Sequence, residues 1–251
     1  MTSLGEEIYL LRWKGVDQVE VYDVISYRLL RCITVPNAGN LIGMTSCKHY
    51  LCLYVCDPDV KCIHRLDLRG NSTKWPVNDI PWSFSVNACH NLIVTCRRVR
   101  KIKEFSPRGD LLRDVTLPDD VTNPWHAIQL TNGQFIVCHG ERDDPVNRVC
   151  KVSEDGGHIN SHGGQPGSNI GQYDVPFQLA VDDNEFVFVV DYNRRVTLLS
   201  PTLGYKRQVV SGDQFSWKPD RLCVEVQRRR LFVAENEYKD KDRGRVLVFS
   251  L

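Results

Sequence analysis

GQYDVPFQLAVDDNEFVFVVDYNRRVTLLSP (residues 171–201) sets short apolar runs between turn residues. Pro176 opens a run in which Phe177, Leu179 and Val181 fall on every second position. A second run, residues 186–190, ends on Asp191, and a third, residues 196–199, follows Asn193-Arg194-Arg195. Side chains of a strand alternate between its two faces, so a period of two predicts strands rather than a helix. Proline and the polar links supply the fixed φ angles of tight reversals. The stretch reads as three antiparallel strands joined by hairpins.

The same unit recurs along the chain. Pro81 (PWSFSV), Pro124 (PWHAIQL), Pro176 (PFQLAV) and Pro219 (PDRLCVEV) each start an apolar run, and NLIGMTS at Asn40 has that shape without proline. A spacing of roughly 40 to 50 residues is that of propeller blades or large solenoid repeats. Turns with glycine close most third runs, as in LRG (68–70), SPRG (106–109), SEDGG (153–157) and SPTLG (200–204). About four short strands per unit, with almost no helical periodicity, predict an all-β, six-bladed β-propeller, in which a blade buries its faces only against its neighbours. One propeller domain over 1–251 is expected, with repeats at about 5–39, 40–80, 81–123, 124–175, 176–218 and 219–251. The first and last units show three runs each, which predicts an incomplete blade at both ends. Irregular closure, a longer parent chain or a partner completing the ring would each account for such a seam. The third run of the fourth unit is followed by a long Gly-rich excursion, carrying His158 and His162, that could fold over the channel, and no fourth run is read there.

Composition narrows the function. Apolar residues make up 42% of the chain, enough for a substantial core, and 32 Lys+Arg nearly balance 31 Asp+Glu. No global field therefore draws in nucleic acid or an anionic membrane, and a polyanion site would need locally segregated charge. No secretory signal or spanning segment is read, so no membrane contact is expected. The ten cysteines lie mostly in apolar runs such as YLCLYVC, LIVTC and FIVC, and no Cys-x-x-Cys pair occurs. Buried free thiols in a reducing, cytoplasmic setting are the expectation, rather than disulfides or a zinc knuckle.

Residues 163–200 resemble the NHL repeat, carried by Gly171, Gln172, Tyr173, Pro176, Asp191, Asn193, Arg195 and Val196. The last unit matches in part through LFVAENE and RGRVLVFS, with Glu235 where the repeat has Asp; CRRVRKIKEFSPRG and PVNRVCKVSEDGG are weaker echoes. The resemblance implies a six-bladed propeller like the C-terminal one of tripartite-motif proteins, which binds RNA on one face and follows ubiquitin-ligase modules. This chain carries no RING or B-box pattern, so a ligase-type region would have to lie N-terminal to it. Asp191 and Arg195 flank one loop, so their side chains are expected to meet across it and stabilise it.

In a propeller, loops between second and third strands share a face with the links between blades. Here those loops are WKGVDQ (13–18), CDPDVK (56–61), CRRVRK (96–101), HGERDDPVNR (139–148), DYNRR (191–195) and ENEYKDKDRGR (235–245). The candidate ligand-binding residues are Trp82, Arg97, Arg98, Arg100, Lys101, Trp125, His126, His139, Phe177, Arg194, Arg195, Trp217 and Arg221. Interleaved cations and aromatics suit single-stranded RNA, through phosphate neutralisation and base stacking. Asp57, Asp59, Glu141, Asp143, Asp144, Glu235 and Glu237 share that face, which favours a protein or peptide. An aromatic beside each proline is also what blade-to-blade packing needs. The rival reading is a metal-dependent lactonase- or lyase-like propeller enzyme. Its axial positions would be His126, Ser83, Gln178 and Arg221, which make no metal cage, and no nucleophile or dinucleotide motif appears. The sequence therefore points to a non-catalytic, macromolecule-binding propeller with no cofactor and no metal site.

Overall fold

The computed structural model describes residues 1–11, 17–237 and 244–251. Its architecture is all-β, six consecutive antiparallel sheets of the six-bladed β-propeller class. Residues 13–16 of the first loop and 238–243 of the last lie outside the described residues. The chain packs as two compact units, Met1–Asp114 and Val115–Leu251.

In the first unit, blade one is β1 (Thr2–Leu4), β2 (Glu7–Leu11), β3 (Gln18–Asp23) and β4 (Leu29–Thr34). Blade two is β5 (Gly43–Cys47), β6 (Cys52–Asp57), β7 (Cys62–Asp67) and β8 (Ser72–Pro76). Blade three is β9 (Ser83–Val86), β10 (Leu92–Cys96), β11 (Lys101–Phe105) and β12 (Leu111–Thr116), whose end reaches into the second unit. The second unit holds blade four, of β13 (Pro124–Gln129), β14 (Phe135–His139), β15 (Asn147–Val152) and β16 (His158–Gly164). Blade five is β17 (Pro176–Val181), β18 (Val187–Asp191), β19 (Arg195–Leu199) and β20 (Tyr205–Val210). Blade six is β21 (Lys218–Glu225), β22 (Arg230–Asn236) and β23 (Gly244–Ser250), a three-stranded sheet, as its sequence predicts.

Two expectations need correction. Blade one is complete: β1 pairs with β2 from Thr2↔Tyr9 to Leu4↔Glu7. Three residues are too few to display a period, so the sequence hides this strand. Its hold is tertiary, because Ser46 Oγ on β5 donates to the Ser3 carbonyl at 2.9 Å and lies 2.7 Å from Thr2 Oγ1. The Gly-rich excursion is likewise a strand. His158 and His162 sit on β16, paired with Val152 and Val149 of β15. Glycines and histidines mask its pattern because none of its residues is buried, so no apolar alternation is needed.

The prolines have a common structural effect. Pro124, Pro176 and Pro219 pair with His139, Asp191 and Glu235, and each is followed by a register shift before the next pair. Proline has no N–H for the ladder, so the strand bulges and one residue is left over. In blades four and five that residue is Trp125 or Phe177, and both pack into the apolar layer between blades five and six. The analogous layer between blades two and three gathers Tyr54, Trp75, Phe84 and Phe105 around Cys47, Cys52, Cys56 and Cys96. All ten cysteines are free. Cys32 and Cys89 are exposed, Cys223 is half-buried, and the others are buried, Cys62 beside the His64 ring. Burial pushes the Cys96 and Cys150 thiols up to about 12, so both stay protonated and inert. Gly109 (φ +95°) closes the β11–β12 turn where a Cβ would stand 2.6 Å from the Trp75 ring, so this turn requires glycine.

Candidate functional site

Across several blades, one corner is built by the same local rule. A residue at or next to the end of the second strand faces the incoming link, and the residue paired with it stands at or next to the start of the third strand. In blade five Asp191 is paired with Arg195. Arg195 Nε donates to Asp191 Oδ2 at 3.0 Å, Nη1 to the Ser168 carbonyl at 2.7 Å and Nη2 to the Gln172 carbonyl, while the guanidinium lies 5.9 Å from the centre of the Tyr173 ring. Asp191 Oδ2 also accepts the Asp174 N–H at 3.4 Å. The ion pair expected from the sequence forms, and it ties the link to the blade. Burial raises the Asp191 carboxyl to about 6 against the pull of Arg195.

Blade six repeats the corner with Glu235. Arg245 Nε donates to Glu235 Oε1, Arg245 Nη2 donates to Ser216 Oγ at 2.9 Å, and Glu235 Oε2 accepts the Trp217 N–H at 3.1 Å. Blade four replaces the acid with His139. Arg148 Nε donates to His139 Nε2 at 2.9 Å, and the Thr122 carbonyl lies 3.2 Å from Nδ1. A guanidinium only donates, so Nε2 carries the lone pair and Nδ1–H donates to Thr122. Burial, reinforced by Arg148, holds His139 down near 4, so the ring is neutral. Blade three departs from the rule: its second strand ends on Cys96, paired with Lys101, and it is Lys103, two residues further along β11, whose buried ammonium reaches Asp79 at 2.9 Å and Asp114 at 3.0 Å. Arg148, Arg245, Lys103, Asp79 and Asp114 were not singled out by the sequence reading. The Arg-Val pairs at 148–149 and 245–246 carry the signal, since both repeat the Arg195-Val196 step.

The candidate ligand residues therefore fall into three groups. Arg195, His139 and His126 are buried; His126 Nδ1 accepts the Leu179 N–H at 3.2 Å and so joins blade four to blade five. Trp125, Phe177 and Arg221 are partly committed. Trp125 Nε1 donates to the Gly140 carbonyl at 2.8 Å, Phe177 packs 5.0 Å from the Tyr192 ring, and Arg221 Nη1 bonds Asp220 at 2.9 Å. The third group is the open one. In the first unit Arg97 stacks 5.3 Å from the Trp82 ring centre, within a short 3-10 turn, Arg97–Val99. Arg98 and Val99 of that turn are exposed, and Arg100 takes φ 53° to end it. Lys101 is 3.2 Å from Asp114. In the second unit Arg194 is exposed, Lys218 Nζ lies 4.5 Å from the centre of the Tyr192 ring, and Arg245 lies 5.7 Å from that of Trp217. Tyr192 and Lys218 add to the candidates named from sequence.

No protein-family model matches the chain, and no curated protein matches it in sequence. Solved structures do. Hydrazine synthase of Kuenenia stuttgartiensis superposes with a TM-score of 0.71 at 13% identity, covering 100% of this chain and 94% of that one. A chain of the nidogen/laminin complex gives 0.70 at 15% identity over 92% of this chain and 86% of its own. Virginiamycin B lyase from Staphylococcus aureus gives 0.58 at 13% identity, with 84% and 70% covered. At such identities the likeness is one of fold. No helix among the described residues is long and apolar enough to cross a membrane.

Proposed function

We propose that this chain is a non-catalytic, NHL-like binding propeller whose ligand is a protein or peptide. It would be engaged through the inter-blade links and second-to-third-strand loops of each unit. One observation carries the choice of ligand: the rings best placed to stack a base already hold a cation. Arg97 sits over Trp82, Lys218 over Tyr192 and Arg245 over Trp217. Base stacking needs an open aromatic face. A stacked guanidinium instead keeps its N–H edge outward for carboxylates and peptide carbonyls. Exposed Arg98 and Val99 beside this arrangement add one cation and one apolar contact, which suits an acidic peptide with an aliphatic anchor.

The non-catalytic part of the reading is supported by the two buried histidines of blade four: both ring nitrogens of His139 are used, by the Thr122 carbonyl and Arg148, and His126 Nδ1 accepts from Leu179 of the next blade. A protein partner is consistent with the nidogen/laminin neighbour, and free thiols are consistent with a cytoplasmic setting. The test is a peptide-display selection run beside retention of a random single-stranded RNA pool, on wild type and on Arg98→Glu. Enrichment of acidic peptides that Arg98→Glu abolishes is expected. Salt-dependent RNA retention lost on Arg97→Glu/Arg98→Glu, with no peptide enriched, would overturn the reading in favour of RNA. Metal-dependent turnover of a lactone would overturn it in favour of an enzyme.

A further inference from the structure

Blade two breaks the corner rule. Its second strand ends on Asp57, fully buried, and the residue paired beside it is Cys62 rather than arginine. Among the described residues the ion-pair partner of Asp57 is His64, whose Nε2 lies 3.6 Å from Asp57 Oδ2 and 3.4 Å from Cys62 Sγ. Cys62 and His64 are two apart on β7, so the alternation of a strand sets both toward the carboxylate. We propose that Asp57, Cys62 and His64 bind a divalent zinc ion that supplies the cation this corner lacks.

Three observations support it. First, the donor atoms of the three residues all lie within 4.8 Å of one another, and all three residues are buried. Tetrahedral zinc, with bonds near 2.3 Å to sulfur and 2.0–2.2 Å to nitrogen or oxygen, sets donors about 3.3–3.7 Å apart. The sulfur–nitrogen and nitrogen–oxygen separations found here fall inside that range. Second, sulfur and carboxylate converge on one atom: Cys62 Sγ lies 3.4 Å and Asp57 Oδ2 3.6 Å from the same His64 Nε2, which carries at most one proton to share between them. A cation at the point where the three converge satisfies sulfur, nitrogen and oxygen together. The same convergence argues against a thiol–imidazole–carboxylate relay. A relay needs the acid on the second ring nitrogen, and Nδ1 is buried with no hydrogen-bond partner.

Third, the charges balance. A carboxylate and a thiolate neutralise a divalent ion, which leaves no net charge in the buried site, and a water would take the fourth tetrahedral position. Asp57 is already oriented, since its oxygens accept the Gly39 N–H at 2.6 Å and the Asn40 N–H at 3.3 Å. Such outer hydrogen bonds fix a ligating carboxylate. Zinc would thus do in blade two what Arg195 does in blade five, fastening the incoming link to the sheet.

The test uses the full chain, stripped with a chelator and titrated with Zn²⁺ and Co²⁺. One equivalent of tightly bound zinc, a rise in melting temperature, and a thiolate-to-cobalt charge-transfer band are expected. Cys62→Ser should abolish the band, His64→Gln should weaken binding more than about tenfold, and Cys89→Ser should change neither. Absence of the band in folded wild type, or its persistence in Cys62→Ser, overturns the proposal. If the Cys62 variant does not fold, pulse alkylation of wild type at raised temperature decides. Zinc must slow labelling of Cys62 more than that of Cys96, and equal protection overturns the site.

Discussion

The corner of blade five and the corner of blade two start from the same position, an aspartate ending the second strand, and solve it differently. Asp191 is neutralised by Arg195, which also caps two link carbonyls. Asp57 has the backbone N–H groups of its link but only a thiol and an imidazole where the guanidinium would be. The lesson is that a buried acid recurs at this corner in blades two, five and six, while the residue paired beside it varies. A buried carboxylate demands compensation, yet arginine, lysine or a metal can each provide it. Blade four goes further and removes the need, by using a neutral histidine as the partner of Arg148.

The strongest way to break this comparison is to remove the built-in cation. Arg195→Met strands Asp191 in the core and should cost about 3–5 kcal/mol in urea unfolding. A loss under 1 kcal/mol would mean that the pair contributes little to holding the blade. The next test is acid. His139 has a folded pKa near 4 against 6.5, so the unfolded chain takes up its proton first as pH falls. Stability on this account drops between about 6.5 and 4, by up to about 3 kcal/mol. Asp191 acts in the opposite sense. Its folded pKa of about 6 exceeds 3.8, so it contributes stability as pH falls from about 6 toward 3.8. His139→Gln should therefore flatten the acid loss between pH 7 and 4.5, and Asp191→Asn should steepen it; the same slope in all three proteins refutes both assignments.

A smaller effect is expected at blade six, where Arg245 is half in solvent and screened. Arg245→Met should cost about 1 kcal/mol, well below the Arg195 variant. In metal-free protein Asp57→Asn should cost less still, because no cation loses its partner; a melting temperature that falls as far as in Arg195→Met would show that Asp57 is paired by another route. The smallest perturbation is a thiol assay. Denatured, unreduced protein should titrate close to ten thiols, with Cys32 and Cys89 reacting first in the native state.

Most of the blade pattern is legible because it is local. The alternation of Phe177, Leu179 and Val181 and the Ser106–Gly109 turn, closed by the Gly109 N–H on the Ser106 carbonyl, are decided by residues a few positions apart. The strand β1 was not legible, since it is defined by Ser46 rather than by its own three residues. Nor was β16, which is too exposed for an apolar period. Of the candidate site, Asp191 with Arg195 was readable from one loop. Whether an aromatic is a platform or a packed wedge was not, because Trp125 and Phe177 become wedges only through bulges that the proline ladder forces.

The sequence alone thus determined the all-β class, the number of repeats and the residues that end their strands, since period and turn chemistry act over a few bonds. Only the tertiary structure decided which cation meets which buried acid, which rings are covered, and that Asp57, Cys62 and His64 share one point. Those outcomes depend on register and on packing between sheets, where a shift of one residue would turn each side chain to the opposite face.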